Sequence, residues 1–140
     1  MSPQVDCIPS TSATSVAPSP GNSVGHQLLL DLGRIEAARL DDIDRLRRTL
    51  VEAARSAGAT VVEDRFHHFE PHGVSGVVIL AESHVAIHTW PELGTAAVDV
   101  FTCGDPALTQ RVADAIEAAL EPGSVNRRRF ERGGTPEAGE

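Results

Sequence analysis

The chain is 140 residues long with 41% apolar residues, which is enough for one globular domain with its own core. A net charge of −8 argues against nucleic acid or an anionic membrane surface as partner, and no apolar stretch is long enough to span a bilayer. All twelve basic residues are arginine, so a lysine-bound pyridoxal phosphate is excluded.

Residues 1–22 are rich in Ser, Pro, Thr and Ala, show no periodicity, and read as a disordered extension without a catalytic role. One of the two cysteines, Cys7, lies in it, which argues against a disulfide framework and for a reducing cytoplasm. The first residues lack the basic and apolar regions of a secretory signal. The folded domain is expected over 23–133, followed by a flexible tail at 134–140.

Leu28, Leu29, Leu30 and Leu32 predict a short buried strand. Asp41 and Asp42 offer N-caps to a helix whose Ile43, Leu46, Leu50, Val51 and Ala54 recur at helical spacing, up to Gly58. Residues 60–69 are β-branched and aromatic and read as a strand, closed by a turn at Pro71-His72-Gly73. The continuous apolar run at 74–80 predicts a central strand buried on both faces. Strands follow at 85–89 and 96–102 around a turn containing Pro91 and Gly94. Asp105-Pro106 opens a second helix with the stripe Val112, Ala115, Ile116, Ala119 and Leu120, stopped by Pro122-Gly123. Residues 124–132 predict a last edge strand, with Arg127-Arg128-Arg129 as a solvated edge. The expected class is α+β: an antiparallel sheet with two helices packed on one face, a two-layer sandwich. The uncovered face then wants a partner, and a homodimer is the simplest one.

Chemistry-bearing residues collect around Glu82-Ser83-His84, with His88 and Glu92 downstream and Cys103 across a hairpin. If 85–89 pairs with 96–102 around the turn, residues summing to about 186 are opposed, which sets Ser83 against Cys103 with Cβ atoms roughly 4.5–5.5 Å apart. Ser83 and His88 fall on opposite faces of a regular strand, so joint action requires a bend or a strained peptide at Glu82-Ser83. Each residue alone has an ordinary reading: a loop serine, a small buried cysteine, hydrogen-bonded strand histidines. Their convergence in one hairpin favours function. A metal site is disfavoured, because His84 and His88 would sit about 13 Å apart on one strand face and no HExxH or CxxC occurs. A serine hydrolase lacks its G-x-S-x-G elbow.

From about residue 24 to 133 the chain resembles the small prokaryotic S-adenosylmethionine decarboxylase proenzymes, a pyruvoyl-dependent family. The resemblance is densest at Phe66-His67-x-Phe69-x-Pro71-x-Gly73-Val74-Ser75-Gly76-Val77-Val78, Glu82-Ser83-His84, Ile87-His88-Thr89-Trp90-Pro91-Glu92 and Asp99-Val100-Phe101-Thr102-Cys103-Gly104. It implies self-cleavage between Glu82 and Ser83, giving a β chain (1–82) and an α chain (83–140) that begins with a pyruvoyl group made from Ser83. That carbonyl would form a Schiff base with the substrate amine and draw electrons as CO2 leaves, so a lysine-free chain would obtain its electron sink. The resemblance also implies processing roles for Ser75 and His88, with His88 assisting the β-elimination. Cys103 would be the proton donor to the substrate α-carbon, and an ordinary thiol of pKa about 8.5 is protonated at neutral pH. Glu92 would contact the substrate's ribose hydroxyls or another polar group, and Phe69 would stack on the adenine unless it is a core aromatic. The family pairs protomers sheet to sheet, a four-layer arrangement with active sites between them.

The chain departs from the family pattern at Gly25-His26-Gln27, at Thr95, and near Gly33 and Ile35. These changes spare Glu82-Ser83, His88 and Cys103 but can touch substrate contacts. Three readings follow: decarboxylation of S-adenosylmethionine to the aminopropyl donor of spermidine synthesis, decarboxylation of arginine or ornithine on the same scaffold, or an uncleaved paralogue acting as a binding or regulatory subunit.

Overall fold

The structure, a computed structural model, describes residues 23–133. The expected extension at 1–22, Cys7 within it, and the tail at 134–140 lie outside the described residues.

Six strands form one antiparallel sheet: β1 (Ser23–Gly33), β2 (Val61–His68), β3 (Val74–Leu80), β4 (Ser83–Trp90), β5 (Thr95–Thr102) and β6 (Ser124–Gly133). Their spatial order is β2-β3-β4-β5-β1-β6. A single-turn helix, α1 (Ala37–Leu40), precedes α2 (Ile43–Ser56), and α3 (Pro106–Leu120) links β5 to β6. Helices α2 and α3 pack on each other and on one face of the sheet, as the expected α+β class requires.

The sheet alternates with period two. Leu28, Leu30 and Leu32 of β1, Val78 and Leu80 of β3, Val85 and Ile87 of β4, and Val98 and Val100 of β5 point to the helices and are buried. Leu46 and Leu50 of α2 and Val112 and Ile116 of α3 meet them. Two expectations change here. Leu29 is only half-buried, because it points away from the helices. The apolar run of β3 is buried on one face only: Val77 is half-buried and Ile79 is 39% exposed. The helices cover one side, so the second apolar face of β3 stands open in a single chain.

Local chemistry explains the boundaries. The Asp42 carboxylate accepts the Arg45 backbone N–H at 3.0 Å and caps α2. Asp105 accepts from the Ala107 N–H at 2.9 Å, with Pro106 in the first turn of α3. The arginine run of β6 divides by strand parity. Arg127 reaches Glu117 at 2.6 Å and Asp114 at 2.8 Å on α3, while Arg128 pairs with Asp31 at 3.2 Å on the open face. In the β2–β3 ladder the Phe66 ring lies over Gly76, where a Cβ would overlap it.

Candidate functional site

β3 and β4 are joined by a two-residue turn, Ala81-Glu82, and paired from Leu80↔Ser83 onward. The Ala81 N–H donates to the Thr60 carbonyl at 2.8 Å, and a Glu82 carboxylate oxygen accepts the Thr60 N–H at 3.1 Å. These two bonds hold the turn against the start of β2, with the Glu82 side chain turned outward and its backbone carbonyl directed across the sheet. Ser83 follows with φ +155°, a backbone state L-residues rarely occupy and one that costs of order 1–3 kcal/mol. The strain expected at Glu82-Ser83 is therefore present.

Across the sheet, β5 delivers Cys103 to the same point. Its backbone N–H donates to the Glu82 carbonyl oxygen at 3.1 Å, and its thiol donates to that oxygen at 3.2 Å. Cys103 is 7% exposed, and the preceding Thr102 is bound at 2.6 Å to Thr109 of α3. The β4–β5 register corrects the expected one. Trp90 pairs with Thr95 around Pro91–Leu93 and Gly94, so opposed residues sum to 185 and Ser83 faces Thr102. Cys103 consequently meets Glu82 rather than Ser83, through the carbonyl of the junction peptide.

Two donors on one carbonyl oxygen, supplied by a buried cysteine, polarise that carbonyl and favour negative charge on the oxygen when a nucleophile adds. The residue that follows carries a hydroxyl and a strained backbone. This arrangement can support attack of a serine hydroxyl on the peptide preceding it.

Ser75 and His88 are opposed on β3 and β4, with Ser75 Oγ 2.7 Å from His88 Nδ1. They lie on the open face, five residues down β4 from Ser83, a separation of about 17 Å at the usual strand rise. β4 pairs regularly along its whole length, and Ser83's unusual φ does not fold the strand back. Within one chain, the expected joint action of Ser83 and His88 is therefore not achieved by bending. Arg65, Phe66, His67, Gly76 and Val77 surround the Ser75–His88 pair in an open cleft.

The far end of the sheet from Ser83 holds Phe69 and Glu92. Phe69 is 46% exposed and meets His67 edge-on with ring centroids 4.5 Å apart, so it is not a core aromatic. Glu92 pairs with His72 at 2.9 Å. The turn bearing Phe69 and His72 closes on itself through the Phe69 N–H and Gly73 carbonyl at 2.8 Å, with Gly73 at φ +108°. Asp41 then ties it down, accepting the Gly73 N–H at 2.8 Å and holding His68 Nε2 at 2.8 Å. The Gly73 amide first, and His68 second, hold the Asp41 carboxyl below the ordinary carboxylate range. Asp41 is thus an anchor rather than the cap for which the sequence offered it; Asp42 does the capping. Nothing in the spacing pointed to this role, because its partners are 27 and 32 residues away. Among the described residues no group of three His, Cys, Asp or Glu side chains could hold a metal ion, and no helix is long and apolar enough to cross a membrane.

The fold and the junction define a two-layer α+β protein built around a polarised Glu82 carbonyl followed by a strained serine. The S-adenosylmethionine decarboxylase family model matches residues 26–133, and the chain belongs to that family. It is 48% identical over 111 residues to the S-adenosylmethionine decarboxylase proenzyme of Acidithiobacillus ferrooxidans, a match covering 79% of this chain and 84% of that one. It is 42% identical over 111 residues to the proenzyme of Aquifex aeolicus, covering 79% and 82%. The crystal structure of the adenosylmethionine decarboxylase from Aquifex aeolicus superimposes with a TM-score of 0.76 at 40% identity, covering 83% of this chain and 96% of that chain.

Proposed function

We propose that the chain is a self-processing, pyruvoyl-dependent decarboxylase that converts S-adenosylmethionine to the aminopropyl donor used in spermidine synthesis. The observation that carries this reading is the Glu82–Ser83 junction: a carbonyl held by two donors from Cys103, followed by a serine at φ +155°. The family named above supports the reaction and substrate. Neither the arginine or ornithine reading nor the uncleaved paralogue draws support from these relatives.

In maturation, Ser83 Oγ bonds to the Glu82 carbonyl carbon, the Glu82–Ser83 C–N bond breaks, and the hydroxyl proton passes to the Ser83 nitrogen, leaving an ester. Cys103's N–H and thiol take the charge that develops on the Glu82 oxygen. Release of strain at Ser83 favours the step. His88, its ring oriented by Ser75, then helps remove the Ser83 α-proton. The Cβ–Oγ bond breaks, Glu82 leaves as a free C-terminus, and hydrolysis of the dehydroalanine with loss of ammonia leaves the pyruvoyl group. The setting of Ser83 fits this group, which would give a chain without lysine a carbonyl electron sink. Once formed, the group supplies an electron-withdrawing carbonyl that accepts electrons as CO2 leaves the substrate.

Cys103 Sγ carries the proton that the substrate α-carbon needs after CO2 loss. Glu92 accepts from the substrate's ribose hydroxyls, and Phe69 stacks on its adenine. His88, Ser75, Phe69 and Glu92 lie far from Ser83 of the same chain, which supports a homodimer of cleaved protomers. The open faces would pack together in four layers, each Ser83 meeting the opposite end of its partner's sheet. The expected cytoplasmic setting, and the division into a 1–22 extension, a 23–133 domain and a 134–140 tail, belong to this proposal.

Intact-mass measurement tests maturation. Two fragments, ending at Glu82 and beginning at a blocked residue 83, are expected; a single chain of 14.8 kDa after long incubation would overturn it. CO2 release from S-adenosylmethionine, arginine and ornithine tests the substrate, and no turnover of the first would sink the assignment.

A further inference from the structure

Glu92 does not stand alone. It projects from the short helical turn Pro91–Leu93, 45% exposed at its side chain, where a glutamate would ordinarily sample several rotamers. His72 Nε2 meets its Oε1 at 2.9 Å. His72 in turn sits on a backbone that is fixed three ways: by the Phe69 N–H to Gly73 carbonyl bond, by the Gly73 N–H on Asp41, and by His68 on the same carboxylate. Asp41, His72, Pro91 and Glu92 line one open cleft of about 310 Å3 beside α1. A rigid turn therefore presents an imidazole to one oxygen of a flexible carboxylate.

We propose that His72 is a positioning residue for substrate recognition: it holds Glu92 Oε1, so that Oε2 faces outward with its lone pairs available to a ligand bearing adjacent hydroxyls. This rests on the reading of Glu92 as the ribose-binding carboxylate and adds the residue that orients it. The contact reduces the rotamer freedom Glu92 would otherwise lose when substrate binds. The role does not require a charged ring, since Nε2–H can donate from neutral imidazole as well as from imidazolium. His72 is bonded to Glu92, whereas His88 is bonded to Ser75, so His72 is expected to act on substrate affinity and to leave maturation alone.

The test uses the mature enzyme and S-adenosylmethionine, with cleavage of each variant followed by intact mass. His72→Ala is expected to cleave as the unaltered chain does and to raise KM about fivefold with kcat within about twofold, the scale of a half-exposed pair. His72→Gln keeps an N–H donor of similar reach and is expected to restore KM. The double variant His72→Ala/Glu92→Ala should show no larger KM than Glu92→Ala alone, because the histidine acts only through the glutamate. Unchanged KM in His72→Ala while Glu92→Ala raises it would overturn the positioning role. Additive losses in the double variant would overturn it too. Unchanged KM in Glu92→Ala would instead remove the underlying assignment of Glu92, and the role of His72 with it.

Discussion

The Cys103 thiol and backbone N–H both reach the Glu82 carbonyl oxygen, at 3.2 and 3.1 Å. On the proposed function, this one residue would serve two reactions in succession: polarising the bond that breaks, and later facing the carbonyl made from Ser83. The two donors are not equivalent. The thiol is a weak donor, whereas the amide survives any side-chain change.

Cys103→Ala should therefore retain self-cleavage, slowed about tenfold or less, because the loss of a full oxyanion-stabilising donor costs ~100-fold or more and the stronger donor remains. Decarboxylation should fall much further, since the proton source for the substrate α-carbon is gone. Intact mass against time gives the first rate and CO2 release the second. Unchanged turnover would exclude the thiol as proton donor.

The distance between Ser83 and the Ser75–His88 pair makes a sharp prediction about the proposed homodimer. His88→Ala alone should stall after the acyl shift, and the trapped ester should be split by hydroxylamine. Ser83→Ala alone should not cleave at all. Co-expressed, the two variants should form mixed dimers in which the Ser83→Ala copy supplies His88 to the junction of its partner. The His88→Ala chain should then be cleaved and the Ser83→Ala chain should not. Absence of cleavage in the mixture, with mixed dimers demonstrated by mass, would mean that each chain processes itself.

Period-two alternation and helix caps made most of the fold legible. Leu28, Leu30 and Leu32 read as strand, and the Asp105-Pro106 start of α3 follows from local hydrogen bonding alone. What sequence could not set was register. The 3-10 turn at Pro91–Leu93 takes a geometry that moves Cys103 by one position, from Ser83 to Glu82. The apolar run of β3 by itself hid its exposed second face, which only the one-sided helix layer implied, because such a run looks the same whether the second layer comes from the same chain or another. The anchors of the Phe69–Gly73 turn were missed for a third reason: Asp41 and His68 meet only through tertiary packing, and an aspartate next to a better-placed cap looks redundant. At the site, His88 stood out in the hairpin while Ser75 entered through resemblance, and their direct opposition at 2.7 Å follows from the β3–β4 register.

Asp41 gives stability a pH dependence of known sign. Its folded-state carboxyl titrates below its unfolded value, so the ionised form is favoured by folding. That stability is fully present above the unfolded pKa, about 3.9, and is lost as pH falls through the lower folded value. Asp41→Asn keeps an oxygen for the Gly73 N–H but cannot ionise. Melting temperature should fall less steeply for Asp41→Asn than for the unaltered chain between about pH 5 and pH 3. Parallel curves would show that the acid sensitivity comes from other carboxylates.

Thr89 joins the helical layer to the sheet under the Ser75–His88 pair. It is 5% exposed; its hydroxyl accepts the Val74 N–H at 2.9 Å and donates to the Leu40 carbonyl at 2.7 Å. Thr89→Val keeps the shape and removes both bonds, leaving a buried backbone donor and acceptor without that partner. Each unsatisfied group costs ~1–3 kcal/mol, so a loss of about 2–4 kcal/mol is expected in urea unfolding of the Ser83→Ala precursor, where cleavage does not complicate the baseline. Because Leu40 precedes the Asp41 anchor and Val74 precedes Ser75, the same change should also loosen His88's partner. In an otherwise unaltered chain, Thr89→Val should slow the elimination step while the acyl shift proceeds, so the hydroxylamine-sensitive ester should accumulate transiently. A full stability loss without ester accumulation would confine Thr89 to holding the two layers together.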